Sequence, residues 1–303
     1  MRRLHYHRVN VFTDRAFSGN PLAVITNGRD VVTETMQSIA KEFNLSETTF
    51  VLPPDDERND WRLRIFTPVN ELPMAGHPTV GTSFVLAREH LIDTTKREAN
   101  IILEEGVGPI AVRVEFNDGS PSYAEMSQPL PVFGPRFDDR RTDIADMISL
   151  DPDDLDPELP LEVISCGVPT LVIPLRNLDA ARRARPRTDV MMRVVEDGAP
   201  HVVLIFTREV EFAGSTVHTR VFSPLNGVPE DPATGAASGP LGCYLVRHGV
   251  VAPESAGKIV SEQGIEMGRT SFISITIESA GDEISAVKIG GQCQFVGEGF
   301  IEV

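Results

Sequence analysis

Trp61-Arg-Leu-Arg-Ile-Phe66 alternates polar and apolar residues with the two-residue period of a β-strand. A Pro/Gly-rich turn follows, and then Val80, Phe84, Val85, Ala87 and Leu91 predict a helix over about 78–91. That helix is apolar nearly all round until Arg88, so it should be buried on most sides. The same strand-turn-helix pattern occurs a second time. Arg64, Phe66, Pro68 and Asn70 match Arg220, Phe222, Pro224 and Asn226 at an offset of 156. After the turn, Pro78 and Gly81 match Pro232 and Gly235 at an offset of 154, which sets His77 opposite Asp231 and gives the first copy two extra residues. The second helix is predicted over roughly 233–248.

Other landmarks repeat in the same order. Gly19-Asn-Pro matches Gly167-Val-Pro at an offset of 148, and Glu104-Glu-Gly106 matches Glu262-Gln-Gly264 at 158. Around them, strands are predicted at 9–13, 22–25, 45–53, 123–127, 202–206 and 272–277, with hairpins at 101–115 and 284–303. Met36, Ile39, Ala40 and Phe43 fall at helical spacing, with Thr33 as the expected cap and Asn44 as the stop. Shorter helices are predicted at 143–150 and 177–185, and the acidic, proline-bearing run 151–160 reads as a surface loop. Residues 128–139, rich in proline, read as a crossing between two halves.

One repeat of this length points to two similar α+β domains, 1–127 and 128–303. Each is expected to be a curved, mostly antiparallel sheet or barrel wrapped around its apolar helix, with an active site in the cleft between them. A chain of 303 residues is long enough for two domains of the usual size. A net charge of -16 argues against nucleic acid or an anionic membrane surface as partner. The absence of an apolar N-terminal stretch and of a long apolar run leads to the expectation of a cytoplasmic protein with no membrane contact. Cys166, Cys243 and Cys293 are too scattered for a disulfide framework or a zinc motif, and reduced thiols are expected. His5 and His7 form an i, i+2 pair near the N-terminus for which a solvent-exposed pair is expected over metal binding, and no metal site is assigned.

The chemistry gathers at the repeated turns. The first N–H groups of a helix have no intrahelical partner, and the helix dipole adds partial positive charge there. Two such helix starts would bind a small carboxylate without lysine or arginine, which reconciles an acidic protein with an anionic ligand. His77 beside Pro78 should be neutral, because the dipole disfavours its cation. Asp231 stands where an N-cap aspartate is expected. Glu47 lies between a helix end and a buried strand, a border that raises a carboxyl pKa and suits a proton carrier. Each of these residues also has a plain structural reading, as a cap or a turn residue.

Phe17-Ser-Gly-Asn-Pro-Leu-Ala-Val24, Asn44-Leu-Ser-Glu-Thr-Thr-Phe50, Ala75-Gly-His-Pro-Thr79, Asp231-Pro-Ala-Thr-Gly235 and the region from Gln263 to Arg269 run through most of the chain. In that order they resemble the PhzF-like isomerases of phenazine biosynthesis, which have the diaminopimelate epimerase fold. The resemblance implies two domains with the site between them, a homodimer and no cofactor. It places the family's catalytic glutamate on Glu47, its glycine-histidine pair on Gly76 and His77, and its aspartate on Asp231. Thr79, Gly235 and Ala236 then fall among the substrate contacts. The family usually has a serine where this chain has Ala236, and Ser238 lies about 200° further round the helix at 3.6 residues per turn. In related two-cysteine epimerases and racemases the thiols sit at the helix starts, which here read Pro78 and Pro232, so a two-thiol mechanism is not expected.

The expected function is therefore a cofactor-free isomerase, with Glu47 moving a proton between carbons of a small carboxylic acid and His77 and Asp231 orienting it. The alternatives are a non-catalytic carboxylate-binding protein of the same fold, or an epimerase using Glu47 and Asp231.

Overall fold

In the computed structural model, which describes residues 2–281 and 283–303, the chain divides into two compact units. One comprises Met1–Ser127 with Ile289–Val303, the other Gln128–Lys288. Both are mixed α+β, with strands outnumbering helices among the described residues.

In the first unit the strand Arg3–Val11 pairs antiparallel with Asn20–Ile25, which runs parallel to Glu47–Leu52. Glu47–Leu52 then pairs antiparallel with Trp61–Phe66, and a parallel contact links that strand to the hairpin Glu98–Glu105/Gly108–Asn117. The second unit repeats this order. Glu162–Ser165 pairs antiparallel with Pro169–Pro174, which runs parallel to Val202–Thr207. That strand pairs antiparallel with Val217–Ser223, which runs parallel to Ile259–Gln263.

The expected domain 128–303 is cut short, because residues 289–303 fold with the first unit. The strand Cys293–Glu302 pairs antiparallel with Arg3–Val11 along its length, from Arg3↔Glu302 to Val11↔Cys293, and so covers an edge that would otherwise present unpaired N–H and C=O groups. In the second unit the same place is taken by Val132–Arg136, which pairs with Glu162–Ser165. The stretch expected to be only a crossing therefore contains a strand.

Each unit packs its strands against one helix of 13 residues, Gly76–Arg88 and Gly235–Arg247. From Gly76 to Ala87 every residue of the first is buried, and the second is buried at Ala237–Leu245, so the all-round apolar pattern is borne out. Close approach depends on glycine. A Cβ on Gly81 would stand 2.6 Å from Val11 and 2.7 Å from Leu22, and one on Gly242 would stand 2.5 Å from Ile275. Pro240, inside the second helix, has no N–H for the Ala236 carbonyl.

Smaller differences from the predicted elements have local causes. Thr33 is the first helical residue of Thr33–Phe43 and Val32 is the cap residue, with no side-chain cap bond, while Asn44 ends the helix in the left-handed region at φ 49°. A helix at Thr188–Glu196, amphipathic and packed through Val190, Met191 and Val194, was not predicted. No helix of the described residues is long and apolar enough to cross a membrane.

Candidate active site

In the first unit, Glu47 begins the strand Glu47–Leu52 and His77 is the second residue of the central helix. Parallel pairing sets Leu22 beside Glu47, and the Thr49 and Thr82 hydroxyls share a buried 2.9 Å hydrogen bond that ties this strand to the helix. His77 Nε2 lies 3.1 Å from Glu47 Oε2, with the two side chains 4% and 13% exposed. On the other side of the ring, the Asn20 amide nitrogen lies 3.1 Å from Nδ1 and donates to it. The imidazole proton is then on Nε2, facing the Glu47 carboxylate. Burial pushes His77 down to about 3, so the ring is neutral at pH 7. The expected neutrality is met, with burial as its cause.

Asn20 is held by an unusual piece of chain. Gly19 just before it has φ +67°, and a Cβ there would stand 2.4 Å from the Val11 carbonyl. Glycine is needed at that turn for both reasons. Nothing in the hydrophobic pattern singles out Asn20; only its place in Phe17–Val24 marked it.

Thr79, expected to contact substrate, turns its hydroxyl inward. Its Oγ1 lies 2.6 Å from the Ala75 carbonyl and 2.5 Å from Glu105 Oε1. One hydroxyl proton cannot serve both acceptors. Burial pushes the Glu105 carboxyl up to about 8, the Thr79 bond acting in the opposite sense, so the carboxyl keeps its proton at pH 7. Glu105 can then donate to Thr79, and Thr79 to Ala75. This buried acid, read in the sequence only as part of a glycine turn, clamps the first helix start.

The second unit builds its helix start on the same frame. Ser238 Oγ donates to Thr234 O as Thr79 does to Ala75 O. Pro232 lies against Gly264 as Pro73 lies against Gly106. Arg88 stacks over the Phe295 ring and Arg247 over the Phe133 ring, each at 3.9 Å. Thr79 and Ser238, Ala75 and Thr234, Pro73 and Pro232, Arg88 and Arg247, and Gly76 and Gly235 each correspond at an offset of 159, Gly106 and Gly264 at 158, while the rings under the two arginines, Phe295 and Phe133, come from strands in different places along the chain.

The expected offset of 154 after the turn is thus corrected. His77 corresponds to Ala236, and Asp231 corresponds to Leu72, since Ile65↔Leu72 and Val221↔Asp231 are equivalent strand pairs. The second copy carries the longer turn, and Pro232 lies three residues ahead of its helix, not at the start. Proline-rich turns of unequal length let a wrong register score well.

Asp231 is the last residue of the strand Val228–Asp231 and not an N-cap; that place belongs to Thr234. Its Oδ2 accepts the Thr234 hydroxyl at 2.6 Å. Gln263 holds the whole turn, accepting from the Thr234 N–H at 3.1 Å and donating to Asp231 O at 2.7 Å. Gly235 is buried and Ala236 partly exposed at the first and second helical positions, while Ser238 is turned inward. None of the three cysteines lies at a helix start: Cys243 is inside the second helix, 3.9 Å from Cys166.

The first unit thus brings a glutamate, a neutral histidine and a glycine together at a buried helix start. A family model described as "Phenazine biosynthesis-like protein" matches residues 9–299. The chain belongs to that family. Among its relatives, a trans-2,3-dihydro-3-hydroxyanthranilate isomerase of Pseudomonas aeruginosa is 35% identical, over 97% of this chain and 98% of the relative. An uncharacterized isomerase of Mesorhizobium japonicum is 34% identical over 99% of each chain. In keeping with these names, the protein is an isomerase. A PhzF-family structure from Bacillus anthracis aligns over 100% of both chains with a TM-score of 0.87 and 28% identity. A hydroxyproline epimerase from Agrobacterium vitis, at 13% identity and TM-score 0.69, shares the fold, as the diaminopimelate epimerase-like architecture leads one to expect.

Proposed function

We propose that the protein moves a proton between carbons of a small unsaturated or hydroxylated carboxylic acid, with Glu47 as the general acid/base. The observation that carries this reading is the 3.1 Å approach of His77 Nε2 to Glu47 Oε2 at the start of a buried helix. A small turn of the ring would let the neutral imidazole donate to the ionised Glu47 carboxylate and support it as it gains and returns a proton. The N–H groups of Gly76 and His77 would hold the substrate carboxylate or charge that develops in the transition state, Pro78 having none and Thr79 bonding Ala75. Asp231, Gly235 and Ala236 are proposed as further substrate contacts. Because the Thr79 hydroxyl, N–H and carbonyl are all engaged inside the protein, Thr79 is assigned to shaping the helix start. Trans-2,3-dihydro-3-hydroxyanthranilate, the acid in the names of several relatives, is the first compound to try. The reading includes action without a cofactor, as a homodimer in the cytoplasm.

The test is deuterium incorporation from solvent into that acid and its analogues by wild type and Glu47→Gln. General acid–base catalysis contributes typically ~10²–10⁴-fold, and the variant should lose a factor in that range. Equal incorporation by both proteins removes Glu47 from the mechanism. Exchange that inverts a centre without moving a double bond supports an epimerase instead, and ligand stabilisation with no exchange supports a binding protein.

A further inference from the structure

His5 and His7, expected to be an exposed pair, are not alike. His7 is fully buried, with its side chain 0% exposed, while the His5 side chain is 33% exposed. They sit two apart on the strand Arg3–Val11 and so face the same side of the sheet. Directly opposite on Cys293–Glu302, His7 pairs with Glu298 and His5 with Phe300. Glu298 Oε2 lies 3.5 Å from His5 Nε2 and 3.8 Å from His7 Nδ1. A second carboxylate, Glu89 at the end of the first central helix, approaches His7 Nδ1 to 3.6 Å.

These separations are too long for hydrogen bonds, and neither ring nitrogen of His7 has a hydrogen-bond partner among the described residues. They do suit ligands of one ion. Bonds of ~2.1 Å to a tetrahedral zinc put neighbouring ligand atoms about 3.4 Å apart. One donor atom each from His5, His7 and Glu298 lie within 4.8 Å of one another, a set that small side-chain turns would close.

We propose that His5, His7 and Glu298 form a binding site for a divalent transition metal of the zinc type, with Glu89 or water in the fourth position. Two imidazoles and a carboxylate are a borderline donor set that selects zinc and its neighbours over magnesium or calcium. Arg88 stands nearby, with its guanidinium stacked over the Phe295 ring. Glu89 and His77 are twelve residues apart along the same helix, about 18 Å at 1.5 Å per residue, so the metal does not touch the Glu47–His77 pair. Its role is structural: it joins the first strand of the chain to the last, where loss of either ligand strand would open the sheet edge.

The experiment titrates the tag-free, chelator-stripped full chain with Co²⁺ and Zn²⁺, following visible absorption, heat and Tm. One Co²⁺ per chain should bind with a visible band that Zn²⁺ abolishes, and Zn²⁺ should raise Tm. His7 is buried and its loss alone disturbs packing, so His5→Asn and Glu298→Gln carry the test. Each should weaken Zn²⁺ binding by about tenfold or more while the metal-free proteins keep the wild-type circular dichroism. No saturable uptake, or uptake unchanged in the His5→Asn/Glu298→Gln double variant, overturns the proposal.

Discussion

Gly76 and Gly235 begin helices of equal length, each preceded by a proline turn and each set by an arginine–carboxylate fork on the strand before it. Arg64 bonds Glu71 at 2.7 and 2.6 Å; Arg220 bonds Glu230 at 2.8 and 2.9 Å. Arg64 lies 5.0 Å over Phe66, and Arg220 lies 5.0 Å over Phe222. On this common frame the second helical residue is His77 in one unit and Ala236 in the other. The side chain that clamps the turn is an acid, Glu105, in one and an amide, Gln263, in the other. The frame is thus the duplicated part. The histidine–glutamate pair at a helix start belongs to the first unit, where Asn20, His77 and Glu47 form a line; at the second start the titratable group is Asp231, bonded to Thr234. Under the proposed function, one helix start performs chemistry and the other only holds.

The sharpest way to break that asymmetry is to make the two starts alike. His77→Ala gives the first helix the second helix's residue at this place. It removes the Nε2–H that faces Glu47 and leaves the Asn20 amide without its acceptor. A lost preorganised donor typically costs ~10²–10³-fold in rate. We expect kcat for the exchange reaction to fall within that range while Tm falls by only a few degrees, measured on the same preparation. Full activity in His77→Ala would mean that Glu47 works without the helix start.

Glu105→Gln copies the second unit's clamp into the first and should show in stability. In the folded protein burial raises Glu105 to about 8 from the ordinary glutamate value of 4.5. Between those pH values the folded state holds a proton that the unfolded state has released. Stability from this group is therefore fully present below the lower value and is lost as pH rises through the upper one. The slope is up to about 1.4 kcal/mol per pH unit in that window. Gln has no proton to lose and, as Gln263 shows, the amide can serve a helix start. In urea unfolding, the variant should be close to wild type at pH 5 and clearly more stable at pH 8. An equal difference at both pH values would show that Glu105 is not protonated in the fold.

Much of this architecture is legible in the chain. The period-two strands, the two all-apolar helices and the duplication follow from patterns that burial imposes, and burial repeats faithfully. The register of the second turn is not legible because Pro and Gly recur there by turn chemistry alone: Pro78 and Pro73 both offer a match to Pro232. Asn20 and Glu105 act through side chains that meet His77 and Thr79 across 57 and 26 residues, which no local pattern records. His7 reads as exposed when its strand is taken alone. Its burial comes from the last strand of the chain, returning beside the first.

The smallest expected effect concerns Ala236. It is partly exposed at the second position of its helix, the place His77 holds in the other, while Ser238 two residues on is spent on the Thr234 carbonyl. Ala236→Ser adds a hydroxyl near the free N–H groups without entering the packed face of the helix. Serine costs the helix about 0.5 kcal/mol or less relative to alanine, so Tm should hardly move. If the second helix start binds substrate, the new hydroxyl adds one hydrogen bond, worth about 0.5–1.5 kcal/mol, and KM should fall by roughly two- to tenfold with kcat little changed. A change in kcat of the size expected for His77→Ala would instead place chemistry at the second helix start, and the division between a reacting and a holding unit would be wrong.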